Sequence, residues 1–109
     1  MNTLQQIGQR IYARRKQMNM TQEELAEQAK VTAQTISFAE LGKKAMRADT
    51  IIGVCGALEV SADYLLFGEI TAKDLSVLTQ KISVLSPEQY RCLEEIIDSF
   101  ITAVTLDET

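Results

Sequence analysis

Gln34, Ser37, Phe38 and Leu41 lie at spacings that place them together on one helical face. Thr32 is the N-cap candidate of that helix. At about 100° per residue, Ala33, Gln34, Ser37, Phe38 and Leu41 fall on one side, and Thr35, Ile36 and Ala39 on the other. The second set is small or apolar and suits a core. The first set offers an amide that can donate and accept at once, a hydroxyl, and two large apolar groups. A purely solvated face would not present Phe38 and Leu41 to water, so this stripe calls for a partner. The chemistry on offer is recognition. For catalysis the chain has little: it contains no histidine, which removes the commonest general base and metal ligand. It has no glycine-rich phosphate loop, and Cys55 and Cys92 are too far apart for ligand or redox spacing. Both cysteines sit within apolar stripes and are expected to be small buried hydrophobes. No enzyme activity, cofactor or metal is expected.

The elements that must hold this face can be read around it. Leu4, Ile7, Ile11 and Met18 follow a 3.6-residue period and predict a first helix over 3–18, closed by a turn at Asn19. Thr21 and Glu24 have capping-box spacing and open a second helix, with Leu25 and Ala29 facing inward and Ala26 small enough for a close crossing. The chain then turns at Lys30 and Val31 into the helix from Thr32, which Gly42 ends. A fourth helix is predicted over 49–58, with Ile51, Val54, Cys55 and Leu58 inward. A short fifth helix is capped by Ser61 and closed by Gly68. Beyond it, Leu75, Leu78, Ile82 and Leu85 predict a helix over 71–85. Ser86, Pro87 and Gln89 then give the strongest helix start in the chain, and the last helix is expected to run to about Leu106. Tyr90, Leu93, Ile96, Ile97, Phe100, Ile101 and Val104 make a broad apolar band on it, backed by Glu94, Glu95 and Asp98. The fold class is all-α.

The net charge of −4 looks wrong for a nucleic-acid binder, but it is unevenly placed. Residues 1–68 hold eight Lys/Arg against seven Asp/Glu, and residues 69–109 hold three against eight. The basic residues form two groups, Arg10, Arg14, Arg15 and Lys16, and Lys43, Lys44 and Arg47. Local charge decides whether phosphates are attracted, because screening limits its reach to roughly 8–10 Å. No apolar run approaches the length that spans a bilayer. The N-terminus lacks the basic-then-apolar order of a signal peptide, so a cytoplasmic location is expected.

Four motifs in order carry a resemblance. They are Ile7-Gly8-x-x-Ile11 with Arg14-Arg15-Lys16; Met20-Thr21-Gln22-Glu23-Glu24-Leu25-Ala26; Thr35-Ile36-x-x-x-Glu40-x-Gly42; and Ala57-Leu58-x-Val60-Ser61-x-Asp63-x-Leu65-Leu66-x-Gly68. Together they resemble the Cro and lambda-repressor type of helix-turn-helix proteins, the xenobiotic-response-element family, over residues 4–68. The resemblance implies a five-helix, lambda-repressor-like DNA-binding domain at 1–68, with the helix from Thr32 in the major groove. Gln34 matches a base-reading position, where its amide suits adenine, and Ala33, Ser37 and Phe38 match its neighbours. Gln22 and Thr32 match phosphate-binding positions at helix starts, Lys43, Lys44 and Arg47 fall in a basic loop on the backbone, and Arg15 and Glu40 match an ion pair bridging the first and third helices. Lys30 stands where the family often has glycine, which predicts a distorted turn or a lysine reaching for phosphate. Met46-Arg47-Ala48 replaces a stretch that often contains proline.

Residues 69–109 fall outside the resemblance and are expected to form a helical hairpin. Leu93, Ile97, Phe100, Ile101 and Val104 are the candidate dimerisation residues, since two domains related by a two-fold axis cover two half-sites. The expected function is a sequence-specific regulator, a repressor acting as a homodimer on double-stranded DNA at a palindromic operator. An antitoxin-type module that binds a protein partner and autoregulates its promoter is the alternative.

Overall fold

The computed structural model describes residues 1–107 as seven helices, with no strand among the described residues. In order they are α1 (Thr3–Gln17), α2 (Gln22–Ala29), α3 (Ala33–Leu41), α4 (Ala48–Leu58), α5 (Ala62–Phe67), α6 (Ala72–Ile82) and α7 (Pro87–Asp107). No described helix is long and apolar enough to cross a membrane. The chain divides into two compact units, Met1–Leu75 and the part from Ser76 onward.

The first unit is built around side chains from five helices. Ile11 of α1, Leu25 of α2, Ile36 of α3, Val54 and Leu58 of α4 and Leu65 of α5 are all fully buried. α1 packs on α3, α2 on α3 and α4, and α5 on α1 and α4. Gly8 sets the closest approach: a Cβ there would collide with the backbone carbonyls of Ala39 and Glu40. Glycine is therefore required by the distance between α1 and the end of α3. Thr50 is buried as well, although the apolar periodicity of α4 does not include it.

Local signals account for the helix ends. Thr21 and Glu24 form the complete reciprocal box, Thr21 Oγ1 accepting from Glu24 N–H and Glu24 Oε1 from Thr21 N–H. Ser61 Oγ accepts from Tyr64 N–H at the start of α5. α4 begins at Ala48, one residue before the expected start, with Arg47 as an N-cap that lends no side-chain bond. Met46 is half-buried against the core. The turn at Lys30 is regular: Lys30 takes the left-handed conformation at φ 62°, and both closing bonds form, from Lys30 N–H to Glu27 and from Val31 N–H to Ala26. The expected distortion is absent because the backbone accepts lysine there, at the steric cost a Cβ brings to this region. Asn19 and Glu59 end their helices in the same way.

The first unit extends past Gly68 to include the start of α6. Asp74 of that first turn accepts hydrogen bonds from the backbone N–H and hydroxyl of both Ser61 and Thr71. Partial desolvation works to raise its pKa, but these four bonds outweigh it and hold the carboxyl down at about 2.

In the second unit α7 starts as its sequence dictates, Ser86 Oγ accepting from Gln89 N–H and Gln89 Oε1 from Ser86 N–H. α6 ends at Ile82, short of the expected Leu85. The apolar band of α7 is open: Ile96, Ile97, Phe100, Ile101, Val104 and Leu106 are all exposed, and Leu93 is half-buried. Cys55 is buried, which pushes its thiol pKa up. Cys92 is exposed instead of buried, because it rides on a helix whose sides are uncovered in the single chain.

Candidate nucleic-acid interface

α3 is held at both ends and from beneath. Thr32 adopts extended backbone and its hydroxyl accepts from Thr35 N–H at 3.2 Å. At the other end Gly42 sits at φ 70°, its N–H reaching Ala39 and the N–H of Lys43 reaching Phe38. Ile36 and Ala39 are buried and anchor the inner face. Outward, Gln34 and Leu41 are exposed, and Ser37 and Phe38 are half-buried. Ala33 is half-buried against the core, so its methyl is partly committed inward. The open N-terminal end carries unpaired backbone N–H groups and the positive end of the helix dipole, which favour an anion.

Arg15, Glu40 and Gln22 lock three helices together beside this face. Arg15 Nε and Nη2 grip Glu40 Oε2 and Oε1 at 2.6 and 3.0 Å, and Arg15 Nη1 donates to the Met20 carbonyl at 2.8 Å. Both side chains are almost fully buried. The hydrogen bonds to Glu40 push the Arg15 guanidinium above its ordinary pKa, against the desolvation that works the other way. Gln22 Nε2 also donates to Glu40 Oε1, at 3.1 Å. Gln22 is thus half-buried and bound to α3. Its second amide hydrogen is the side-chain donor left for a phosphate.

The basic residues divide by role. Arg10 Nη1 donates to the Leu65 carbonyl at 3.1 Å, and Arg14 Nε to the Leu58 carbonyl at 2.8 Å. These arginines satisfy carbonyls in the last turns of α5 and α4 that have no partner within their own helices. With Arg15 held by Glu40, three members of the first basic group make hydrogen bonds inside the unit, which leaves them fewer donors for a phosphate than the sequence pattern suggests. The second group is open: Lys43, Lys44 and Arg47 are exposed in the segment after α3, and Arg47 makes only a loose pair with Asp49, at 3.7 Å and in solvent. Between α3 and this segment lies a groove of about 430 Å³, lined by Gln34, Thr35, Phe38, Lys44, Arg47 and Asp49 among others. Phe38 forms part of its wall.

Sequence reasoning missed the helix-end roles of Arg10 and Arg14 and the bond from Gln22 to Glu40. These contacts join residues 55, 44 and 18 positions apart, and no local pattern encodes them. The surplus of arginine on a helix that lacks nearby acids was the one available hint.

A family model described as Helix-turn-helix matches residues 11–65, half of the chain. The chain belongs to the XRE-type helix-turn-helix family. The match spans α1 from Ile11 through α5, the helices that carry and brace the exposed face of α3. This helix-turn-helix chain is 29% identical over 96 residues to an uncharacterised HTH-type transcriptional regulator, YqaE, of Bacillus subtilis (strain 168), covering 84% of this chain and 83% of that protein. Among solved structures it is similar to the P22 c2 repressor, determined in complex with the synthetic operator 9T in the presence of Tl+. That match has 34% identity and a TM-score of 0.58, over 60% of this chain and 98% of that one. A chain of the SinR protein/SinI protein complex is 25% identical, with a TM-score of 0.54 over 88% of this chain and 98% of that one. The family and fold are those of DNA-binding regulators.

Proposed function

We propose that this helix-turn-helix protein is a transcriptional repressor that binds a palindromic operator as a homodimer. The observation that carries the reading is the exposed Gln34 face of a capped, buried-anchored α3, flanked by the open cations Lys43, Lys44 and Arg47. α3 enters the major groove, Gln34 reads a base edge with its paired donor and acceptor, and Ser37 and Phe38 touch neighbouring bases. Lys43, Lys44, Arg47, Thr32 and the second amide hydrogen of Gln22 meet phosphates and set the register. The likeness to a repressor solved with its operator supports this. Two copies pair through Leu93, Ile97, Phe100, Ile101 and Val104 of α7, whose band is exposed in the single chain. Occupancy of the promoter then blocks transcription sterically.

Enrichment of random duplexes on the purified protein tests the reading, with a two-fold symmetric sequence as the expected product. On that sequence Gln34→Ala should weaken binding by about 1–3 kcal/mol and relax one base position, leaving random DNA unaffected. Lys43→Ala should weaken all sequences alike and flatten the salt dependence. Equal loss from Gln34→Ala on both kinds of DNA would remove Gln34 from base reading. The open α7 band also suits a second reading, in which a different protein covers it and DNA binding is autoregulatory; a SinR/SinI complex is one of the similar structures. A chain that stays monomeric and pairs only when that partner is supplied would favour it.

A further inference from the structure

One carboxylate ties the start of α6 to the start of α5. Asp74 Oδ1 accepts the Ser61 backbone N–H at 2.8 Å, and Oδ2 accepts the Ser61 hydroxyl at 2.7 Å, the Thr71 N–H at 2.9 Å and the Thr71 hydroxyl at 3.0 Å. The two bonds from Thr71 would cap α6 by themselves. The two from Ser61 add nothing to that cap. Ser61 is buried and its own oxygen already accepts Tyr64 N–H, so a single hydroxyl joins the cap of α5 to the first turn of α6. Between the two helices, residues 68–71 have no regular structure, and Glu69 and Ile70 are exposed. The two Ser61 bonds bridge this stretch. The carboxylate remains charged across the neutral range, its pKa being held near 2, and charge-assisted bonds of this kind are about twice as strong as neutral ones.

We propose that Asp74 is a positioning residue for operator binding: it closes the hinge at 69–71 and thereby restricts the spacing at which two copies of α3 can engage DNA together. The proposal rests on the homodimer reading above. Its physics is that of a tether. Once one half-site is filled, the second binds at an effective concentration set by how tightly its domain is confined. An open hinge spreads that domain over a larger volume, which lowers affinity at the preferred spacing and admits others.

The test uses the full chain, the palindrome enriched from random duplexes, and versions of it with one or two base pairs added to or removed from the centre. Wild type should prefer one spacing by about tenfold or more. Asp74→Asn keeps the shape but loses acceptors. It should lose about tenfold at the preferred spacing and favour it over the others by less than about threefold, with dimer mass and half-site base preference unchanged. Two glycines inserted after Ile70 open the same hinge with the carboxylate intact and should broaden spacing in the same way, which keeps the test valid if Asp74→Asn disturbs folding. Thr71→Ala removes only the hydroxyl bond to Asp74, leaving the Thr71 N–H and both Ser61 bonds, and should keep the wild-type spacing preference. The proposal is overturned if the glycine insertion leaves the preference unchanged, or if Thr71→Ala broadens it as much as Asp74→Asn does, since the carboxylate would then be a helix cap only. A monomeric wild type overturns the homodimer reading and this proposal with it. A dimer indifferent to the hinge overturns this proposal alone.

Discussion

Met1–Leu75 and α7 use the same kinds of apolar residue to opposite effect. In the first, isoleucine, leucine and valine from five helices are shut away from water, and even the arginines of α1 are turned to internal carbonyls and a buried glutamate. In the second, Ile96, Phe100, Ile101 and Leu106 remain open along one strongly capped helix. The first unit closes a core of its own, and its buried side-chain polar atoms have partners. α7 has a well-made backbone and an unmade interface, which is the condition of a helix completed by another surface.

That contrast can be tested at its strongest point first. Arg15→Ala would leave Glu40 charged and buried with only Gln22 beside it, and should destabilise the first unit by about 3–5 kcal/mol in urea unfolding. Replacing Arg15 by methionine and Glu40 by leucine together should recover most of that loss. A loss below about 1 kcal/mol for the single change would mean the first unit is looser than its contacts indicate. Next in size, Phe100→Asp should weaken pairing by about 2 kcal/mol or more, some thirtyfold, as judged by sedimentation, while the unfolding of the first unit stays put. If the first unit melts earlier as well, the two regions share a core and the contrast fails. The smallest effect is expected at the α2–α3 turn. Lys30→Gly should stabilise the first unit by about 1 kcal/mol by relieving the left-handed lysine, and an unchanged or lowered melting temperature would show that the lysine is held there by a contact of its own.

Much of the architecture could be read from local chemistry. Thr21, Thr32, Ser61 and Ser86 each lie at the start of a helix with the cap their spacing implies, and Ile36 and Ala39 fall on the buried side that a 100° rotation assigns them. Caps and periodicity act within a few residues, which is why they survive in the sequence. Asp74 shows where such reading stops. As Thr71-x-x-Asp74 it is a helix start, yet two of its four bonds go to Ser61, which belongs to another helix and carries no local mark of the link. Arg10 and Arg14 teach the same lesson from the side of charge: a basic run suggested phosphate, but carbonyls at the ends of α4 and α5 claim two of its members. At the candidate interface the exposure of Gln34 follows from its position in the turn of the helix, whereas the half-burial of Gln22 depends on Glu40, and only the folded chain brings those two together.

α3 separates the residues that hold it from those it displays. Thr32, Ile36, Ala39 and Gly42 fix the helix, while Gln34 stands free of the packing. Position 34 can therefore be exchanged for other side chains with little penalty to folding. On the proposed base-reading role of Gln34, a change at this one outward side chain would re-address the protein to a new sequence and leave its stability almost untouched.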